Sequence, residues 1–540
     1  MSGLVFALNS SCLELVVWSS REKFQLLTSI AATYPAPRVD RRCVTVKVIE
    51  RASGTAERAL EQDWSDENGP RPHVWSPAAT TWLLLLRQHR PDLVPAVAQP
   101  IIQSPLVIAM PEPMFTALHG SIKNIGWHDV HTLARDPQGW ARFGESWGRF
   151  RLGKTTPLIS TSGLHAMISL NNASQAEDDP VAFLQGVESS VAHYADSVGS
   201  FLANLRQADD AGQALEYVSA IAVEEKQVFD YNRGNTNSDY CATPCNWTEP
   251  KTKLVSVYPR EGTLIADHPY AVLNWNWVDD AHRQAASDFR SHLESPPVQS
   301  LFQREGFRDH QHQAGALLQL PYFDPDEPRI LYSPPTPAAL NEIRGAWSAN
   351  IRKRSNALIV LDVGPSMDFP SRNAKLAAVK NAVIEHLKLL ADDDEVGLWT
   401  FPTADGRPYH EVMPITKRGP PPHEFASHLD KVVTVAAGRA LFATVRAAVD
   451  RVQAGFVEGR VNAVIVVSDG RSGVSDDLPG LLKALRDQHD DQRVLILTVA
   501  LSEGVSGDLD KIATESLGLS YEAFDVAKIS EAIRNALANL

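Results

Sequence analysis

Residues 356–369 read NALIVLDVGPSMDF, and the fold of the C-terminal third turns on them. The apolar run 357–361 ends in Asp362, with Gly364 and Ser366 two and four positions on. A short apolar, β-branched run of this kind predicts a buried strand. Its terminal carboxylate and the small residues beyond make half of a cation site, yet Gly364 stands where a hydroxyl is expected. Further strands are predicted at 395–401, 463–467 and 494–499, with amphipathic helical stretches between them. Uniformly apolar strands flanked by helices predict a parallel, doubly wound α/β sheet. Such sheets bind ligands beyond the carboxyl ends of their strands, where Asp362 and Asp469 both fall.

A proline-rich break, YSPPTPAAL from Tyr332, separates this region from an earlier one of different character. The earlier region opens with a strand at 13–18, a helix and a parallel strand at 44–49. ASGTAERAL then opens another helix, PHVWSPAATTWLLLL and SPLVIAMPEP each contain an apolar strand ending at Ser or Pro, and KLVSVYPREGT supplies another. Two lobes are expected, with the chain crossing near 111–117 and returning near 253–259.

At 540 residues the chain is too long for one core, and at roughly 100–200 residues per domain about three folding units are expected. Apolar residues at 44% and charged residues at 21% place it among ordinary globular proteins. The net charge of −14 argues against broad binding to nucleic acid or anionic lipid, which need a positive surface. No run of about 20 apolar residues is present, so no bilayer-spanning helix is expected. The opening MSGLVFALNSSC has too short an apolar block for a signal-peptide core, so the protein is either cytosolic or shown without its export segment.

The cysteines decide between these. Cys12 and Cys43 precede adjacent parallel strands at the same end. Strands about 4.8 Å apart lie within the Cα separation of about 4.4–6.8 Å that a disulfide needs. Closing that loop stabilises by roughly 3–4 kcal/mol in the chain-entropy model. Cys241 and Cys245, in CATPC, would stiffen only their own turn. Neither pair has the further ligands of a zinc site. Four free thiols are the alternative, and two bridges favour an exported protein.

Gly148 to Thr155, GRFRLGKT, satisfies the phosphate-loop pattern letter for letter. That loop must follow a buried strand and open a helix. Here the preceding residues look helical, Pro157 follows, and the alternation fits a strand. HEFASH, from His423, has its histidines five apart, off a shared helical face. PLISTSGLHAMI places Ser160, Thr161 and Ser162 before a helix, where hydroxyls and free amides can hold an anion, ordinary N-capping being the alternative. Similar starts carry Ser19 and Ser20, and Ser53 and Gly54; with Ser76 they are candidate ligand-binding residues. Trp18, Trp75 and Trp82 fit a core better than a sugar-stacking platform.

Taken together, CLELVVWSSREK, RRCVTVKV, VWSPAATTWL, LGKTTPLISTSGL and YPREGTLIADHPYAVLN resemble bacterial extracellular solute-binding proteins of the two-lobed periplasmic type. The resemblance covers about residues 12–335. It implies two α/β lobes, a ligand cleft between them and export. The expected division is residues 1–335 for this part (first lobe about 1–115 and 255–335, second about 116–254), a linker at 336–355, and 356–540. The last part resembles a von Willebrand factor A domain, whose divalent cation is held by D-x-S-x-S, a Thr and an Asp. Asp362, Ser366 and Asp469 keep their places; Gly364 replaces the first Ser and Arg439 occupies the Thr position. Magnesium wants near-octahedral oxygen ligands, so a degenerate site is expected, with Arg439 paired to one or both carboxylates. No cofactor is required.

The expected function is non-enzymatic: capture of a small polar or anionic solute at a bacterial cell surface, with the A-type domain contacting a protein. A plain receptor for a membrane transporter is the runner-up. A hydrolase or transferase using Ser160 or Ser162 lacks a base, because His165 lies a short step along the same helix.

Overall fold

The computed structural model describes residues 12–62, 64, 69–122, 124–241, 245–370, 374–419, 423–438, 440–473, 476–489, 492–503 and 506–540. The chain packs into two units interleaved in sequence. The first takes the described residues up to Asp129 with 157–176 and 221–345; the second takes 130–156, 177–220 and 346–540.

In the first unit, strand Leu13–Ser19 leads into helix Arg21–Thr33 and pairs in parallel with Val44–Glu50, from Leu13 opposite Val44 to Ser19 opposite Glu50. Val74–Ser76 pairs on its other side, also in parallel. Pro269–Val272 and Gln99–Pro100 complete a five-stranded sheet. The helix turns Lys23, Leu26, Leu27 and Ile30 inward, the spacing of one helical face. The three leucine and isoleucine side chains pack with Leu15, Val17, Tyr270 and Phe289 in one core. Both expected disulfides are present, with Cα separations of 4.6 Å for Cys12–Cys43 and 5.8 Å for Cys241–Cys245. Trp18, Trp75 and Trp82 are core residues.

A second sheet is built on Ile102–Pro111, which pairs antiparallel with Ala220–Glu224, Leu254–Val257, Ile265–Ala266 and Arg308–Asp309. The two segments expected to cross between lobes, 111–117 and 253–259, meet inside this unit, where Pro111 pairs with Leu254. Helix Thr161–Ser174 is buried along most of its length.

In the second unit, Leu152–Thr155 is a strand paired with Val191–Ala195. The phosphate-loop look-alike therefore lies in a sheet, with Lys154 buried against Glu188. The C-terminal sheet runs in the order His410–Lys417, Glu395–Phe401, Ser355–Asp362, Val461–Ser468, Leu495–Ala500, Ser520–Glu522. All four expected strands are present, and Ser355–Asp362 is buried at every position. The sheet is mixed, not wholly parallel: His410–Lys417 runs antiparallel along the edge. Its mostly exposed, polar sequence with Pro414 suits an edge and lacks the apolar signature of a buried strand.

Candidate functional site

The candidate hydroxyls of the first unit converge around a side chain that the sequence reading passed over. Strand Leu13–Ser19 ends at Ser19, Ser20 caps the following helix, and Val74–Ser76 ends beside them. Lys23, on the inward face of that helix, is fully buried. Its ammonium donates to Ser20 Oγ, to the Ser76 carbonyl at 2.9 Å and to the Pro77 carbonyl at 3.2 Å. His268 Nδ1 lies 3.2 Å from the same nitrogen. Burial lowers the Lys23 pKa to about 8, against the partly compensating charges of Glu22, Glu224 and Asp267.

Acidic groups complete the cluster. Glu22 Oε1 accepts from Ser20 Oγ and lies 3.5 Å from His268 Nδ1. Glu224 ends its strand and caps helix Glu225–Asn232. Its Oε2 sits 3.5 Å from His268 Nε2, and neither atom has a hydrogen-bond partner among the described residues. Burial, with Glu22 nearby, raises the Glu224 pKa well above the carboxylate range. Burial, with Lys23 nearby, pushes His268 far below its ordinary value. His268 also has a left-handed φ of 37°, a conformation that costs a non-glycine residue roughly 1–3 kcal/mol and clusters at ligand sites. Ligand atoms of Glu22, Glu224 and His268 lie within 4.8 Å of one another, near enough to share an ion. The Lys23 ammonium, however, occupies the same neighbourhood.

The remaining sequence candidates surround this cluster in various states of satisfaction. Ser19 Oγ donates to the Ser20 carbonyl, Ser53 Oγ accepts from Ala78 N, and Thr161 Oγ1 accepts from Trp82 Nε1 at 2.8 Å. Ser162 Oγ faces Gln227 Oε1 at 3.4 Å. Ser160 caps helix Thr161–Ser174 without a side-chain cap bond. Ser76 Oγ is buried and has no partner among the described residues. Gly54 allows a close backbone approach: a Cβ there would lie 2.6 Å from the Leu158 carbonyl. His165 turns to Thr81 Oγ1 at 3.3 Å, and burial lowers its pKa to about 3. It is poorly placed to activate Ser160 or Ser162 as a base.

Lys23, Glu22, Glu224, Asp267 and His268 were missed by the sequence reading. One signal was available, because Lys23 falls on the apolar stripe of its helix and a charged residue there demands a buried partner.

The second candidate site lies at the carboxyl ends of the C-terminal strands. Asp362 and Asp469 are both buried. Asp362 Oδ1 accepts from Gly364 N at 2.7 Å and Oδ2 from Ser468 Oγ at 2.8 Å. Asp469 Oδ1 accepts from Arg471 N at 3.0 Å, and Arg471 Nε lies 3.7 Å from its Oδ2. Ser366 is half-buried in the turn between. Arg439 lies outside the described residues. Among the described residues these strand ends offer two carboxylates and the Ser366 hydroxyl, and both Asp362 oxygens accept protein hydrogen bonds.

The chain is 23% identical over 476 residues to an uncharacterized protein of Mycobacterium tuberculosis, and the match spans 85% of this chain and 66% of that protein. Among solved structures it is similar to the periplasmic binding protein AfuA from Actinobacillus pleuropneumoniae, at 13% identity over 63% of this chain and 98% of that one, with a TM-score of 0.42. The sulfate-binding protein SubI from Mycobacterium tuberculosis matches at 15% identity over 62% of this chain and 96% of that one, TM-score 0.40. A von Willebrand factor type A protein from Catenulispora acidiphila matches at 18% identity over 35% of this chain and 43% of that one, TM-score 0.28. A family model described as bacterial extracellular solute-binding protein matches residues 15–308, more than half of the sequence, and the chain belongs to that family.

Proposed function

We propose that this protein is an exported binding protein that captures a small polar or anionic solute in its first unit and contacts another protein through its C-terminal loop crest. Lys23 carries the first half of the reading. A fully buried ammonium at the carboxyl ends of two parallel strands, with Ser20 bound to it and the Ser76 hydroxyl left without a partner, is a seat for an oxyanion. An incoming anion would exchange the two carbonyls that Lys23 now contacts for a full negative charge, and Ser76 Oγ would gain an acceptor. Two disulfides support an oxidising compartment, and among the described residues no helix is long and apolar enough to cross a membrane.

The functional division follows the sequence, with residues 1–335 for capture, 356–540 for contact and 336–355 joining them, whereas the compact units follow packing. On the C-terminal crest we read Asp362, Ser366 and Asp469 as a degenerate cation seat whose face serves protein contact or adhesion. Isothermal titration of the full chain with sulfate, phosphate and small carboxylates tests the capture half. One-to-one binding that is abolished in Lys23→Met and weakened several-fold in Ser76→Ala is expected; undiminished binding by Lys23→Met would overturn it.

A further inference from the structure

The second unit holds an open cavity of about 990 Å³, lined among others by residues 148–151, 189–192 and 458–460 and by Arg135, Lys353 and Arg493. Six cationic side chains line it: Arg135, Arg149, Arg151, Lys353, Arg460 and Arg493. Among the described lining residues two are acidic, Glu145 and Glu458. The chain as a whole carries a net charge of −14, so positive charge is concentrated here against the general trend. A concave wall of one sign focuses the field into the cavity and raises the local concentration of a counter-charged ligand.

The hydrogen bonds show how this charge is held. Lys353 Nζ donates to the Val191 carbonyl at 2.8 Å. Arg460 Nη1 donates to the carbonyls of Ser355 and Asp393 at 3.0 and 3.1 Å, with Glu395 more distant at 3.6 Å. A carbonyl fixes the direction of a cation without cancelling its charge. Arg149 reaches Glu458 only at 3.9 Å, with both side chains mostly in solvent, a contact worth little. Arg135 is exposed at the rim. Within the wall, Gln488 Nε2 is buried and has no acceptor among the described residues. Burial holds the Lys353 pKa near 8, and a bound anion would raise it. Preset cations, an unmet amide donor and a volume at the upper end of the roughly 300–1,000 Å³ of small-molecule pockets describe a receptor for a multiply charged anion.

We propose that this cavity binds a phosphorylated small molecule carrying two or more negative charges, at a site separate from the Lys23 cluster. Arginine-rich walls favour phosphate oxygens because the planar guanidinium can donate two parallel hydrogen bonds to them. The phosphate could come from a soluble ester or from a lipid headgroup, and the test separates the two sources.

The full chain is titrated calorimetrically with inorganic tripolyphosphate, and its co-sedimentation with phosphatidate vesicles is measured in parallel. One-to-one tripolyphosphate binding is expected, weakened at least tenfold in the double variant Arg135→Glu/Arg149→Glu. Arg142→Glu, an exposed change outside the cavity wall, serves as the charge control and should bind as the parent does. Binding of tripolyphosphate without vesicle binding assigns a soluble ligand; vesicle binding lost in the double variant assigns a headgroup. No tripolyphosphate binding by the parent chain, or an equal loss in Arg142→Glu, overturns the proposal. Lys23→Met should leave tripolyphosphate binding intact, so failure here and failure of the solute reading are distinguishable.

Discussion

The ammonium of Lys23 lies 3.2 Å from Nδ1 of His268, with both side chains fully buried. Two basic groups at that distance cannot both be charged at ordinary cost, and burial already lowers both pKa values. The imidazole is therefore the neutral partner and can accept from the ammonium. Glu22 beside Nδ1 and Glu224 beside Nε2 turn the pair into a polar core that responds to pH.

Lys23 gives the first expectation. Its pKa is about 8 in the folded chain against 10.5 for an ordinary lysine. Between those values the unfolded chain binds more protons, so stability rises with pH from about 8 to about 10.5. Below that window the burial penalty is fully present, on the order of 3 kcal/mol. Lys23→Met should flatten the rise, as read from denaturant titrations at a series of pH values. An unchanged slope would show that Lys23 titrates normally.

Glu224 has the opposite sign. Its folded pKa is raised, so the folded chain holds the proton longer and stability falls as pH climbs from the ordinary carboxylate range toward the folded value. Glu224→Gln keeps a carbonyl for the helix cap and removes the titration. It should level the decline that thermal melts record as pH rises above the ordinary carboxylate range.

Gly54 tests the close approach beneath the site. A Cβ would meet the Leu158 carbonyl at 2.6 Å and the Trp82 ring at 2.8 Å. Gly54→Ala should cost about 1–3 kcal/mol through overpacking, measurable as a lowered denaturation midpoint. A neutral result would mean that residues 158–159 move away freely.

Asp394 anchors the C-terminal sheet. It pairs with Arg352 and accepts from Ser355 N at 2.7 Å and Ser355 Oγ at 3.0 Å, all buried. Removing it in Asp394→Ala leaves an uncompensated guanidinium, at a cost of about 3–5 kcal/mol. Chemical denaturation should register that loss, whereas Asp405→Ala, an exposed change, should fall within about 0.5 kcal/mol of the parent.

The C-terminal crest is expected to bind divalent cations poorly. Calorimetric titration of the full chain with magnesium and then manganese should give no micromolar isotherm. A micromolar isotherm lost in Asp469→Ala would establish a working cation site there.

Much of the fold was legible because its signals are local. The apolar runs that became Leu13–Ser19, Ser355–Asp362 and Val461–Ser468 announce themselves through β-branched composition and length. The polar edge strand His410–Lys417 did not, since solvent on one side removes the apolar pattern. At the candidate site, Ser20, Ser76 and Thr161 could be found from their places at strand and helix ends. Glu224 and His268 could not, because each is an ordinary polar residue until folding buries it beside the other.

The sequence by itself determined the two α/β regions, the disulfide pairs and the hydroxyl-bearing helix starts, since each follows from spacing within a few dozen residues. Tertiary structure alone decided that Lys23 would occupy the seat among those hydroxyls, and that arginines from positions 135 and 460 would face one cavity. Lys23 meets His268 across 245 positions, and the two arginines stand more than three hundred apart. The energies of these relationships come from desolvation and charge in a shared interior, which exists only once the chain has folded.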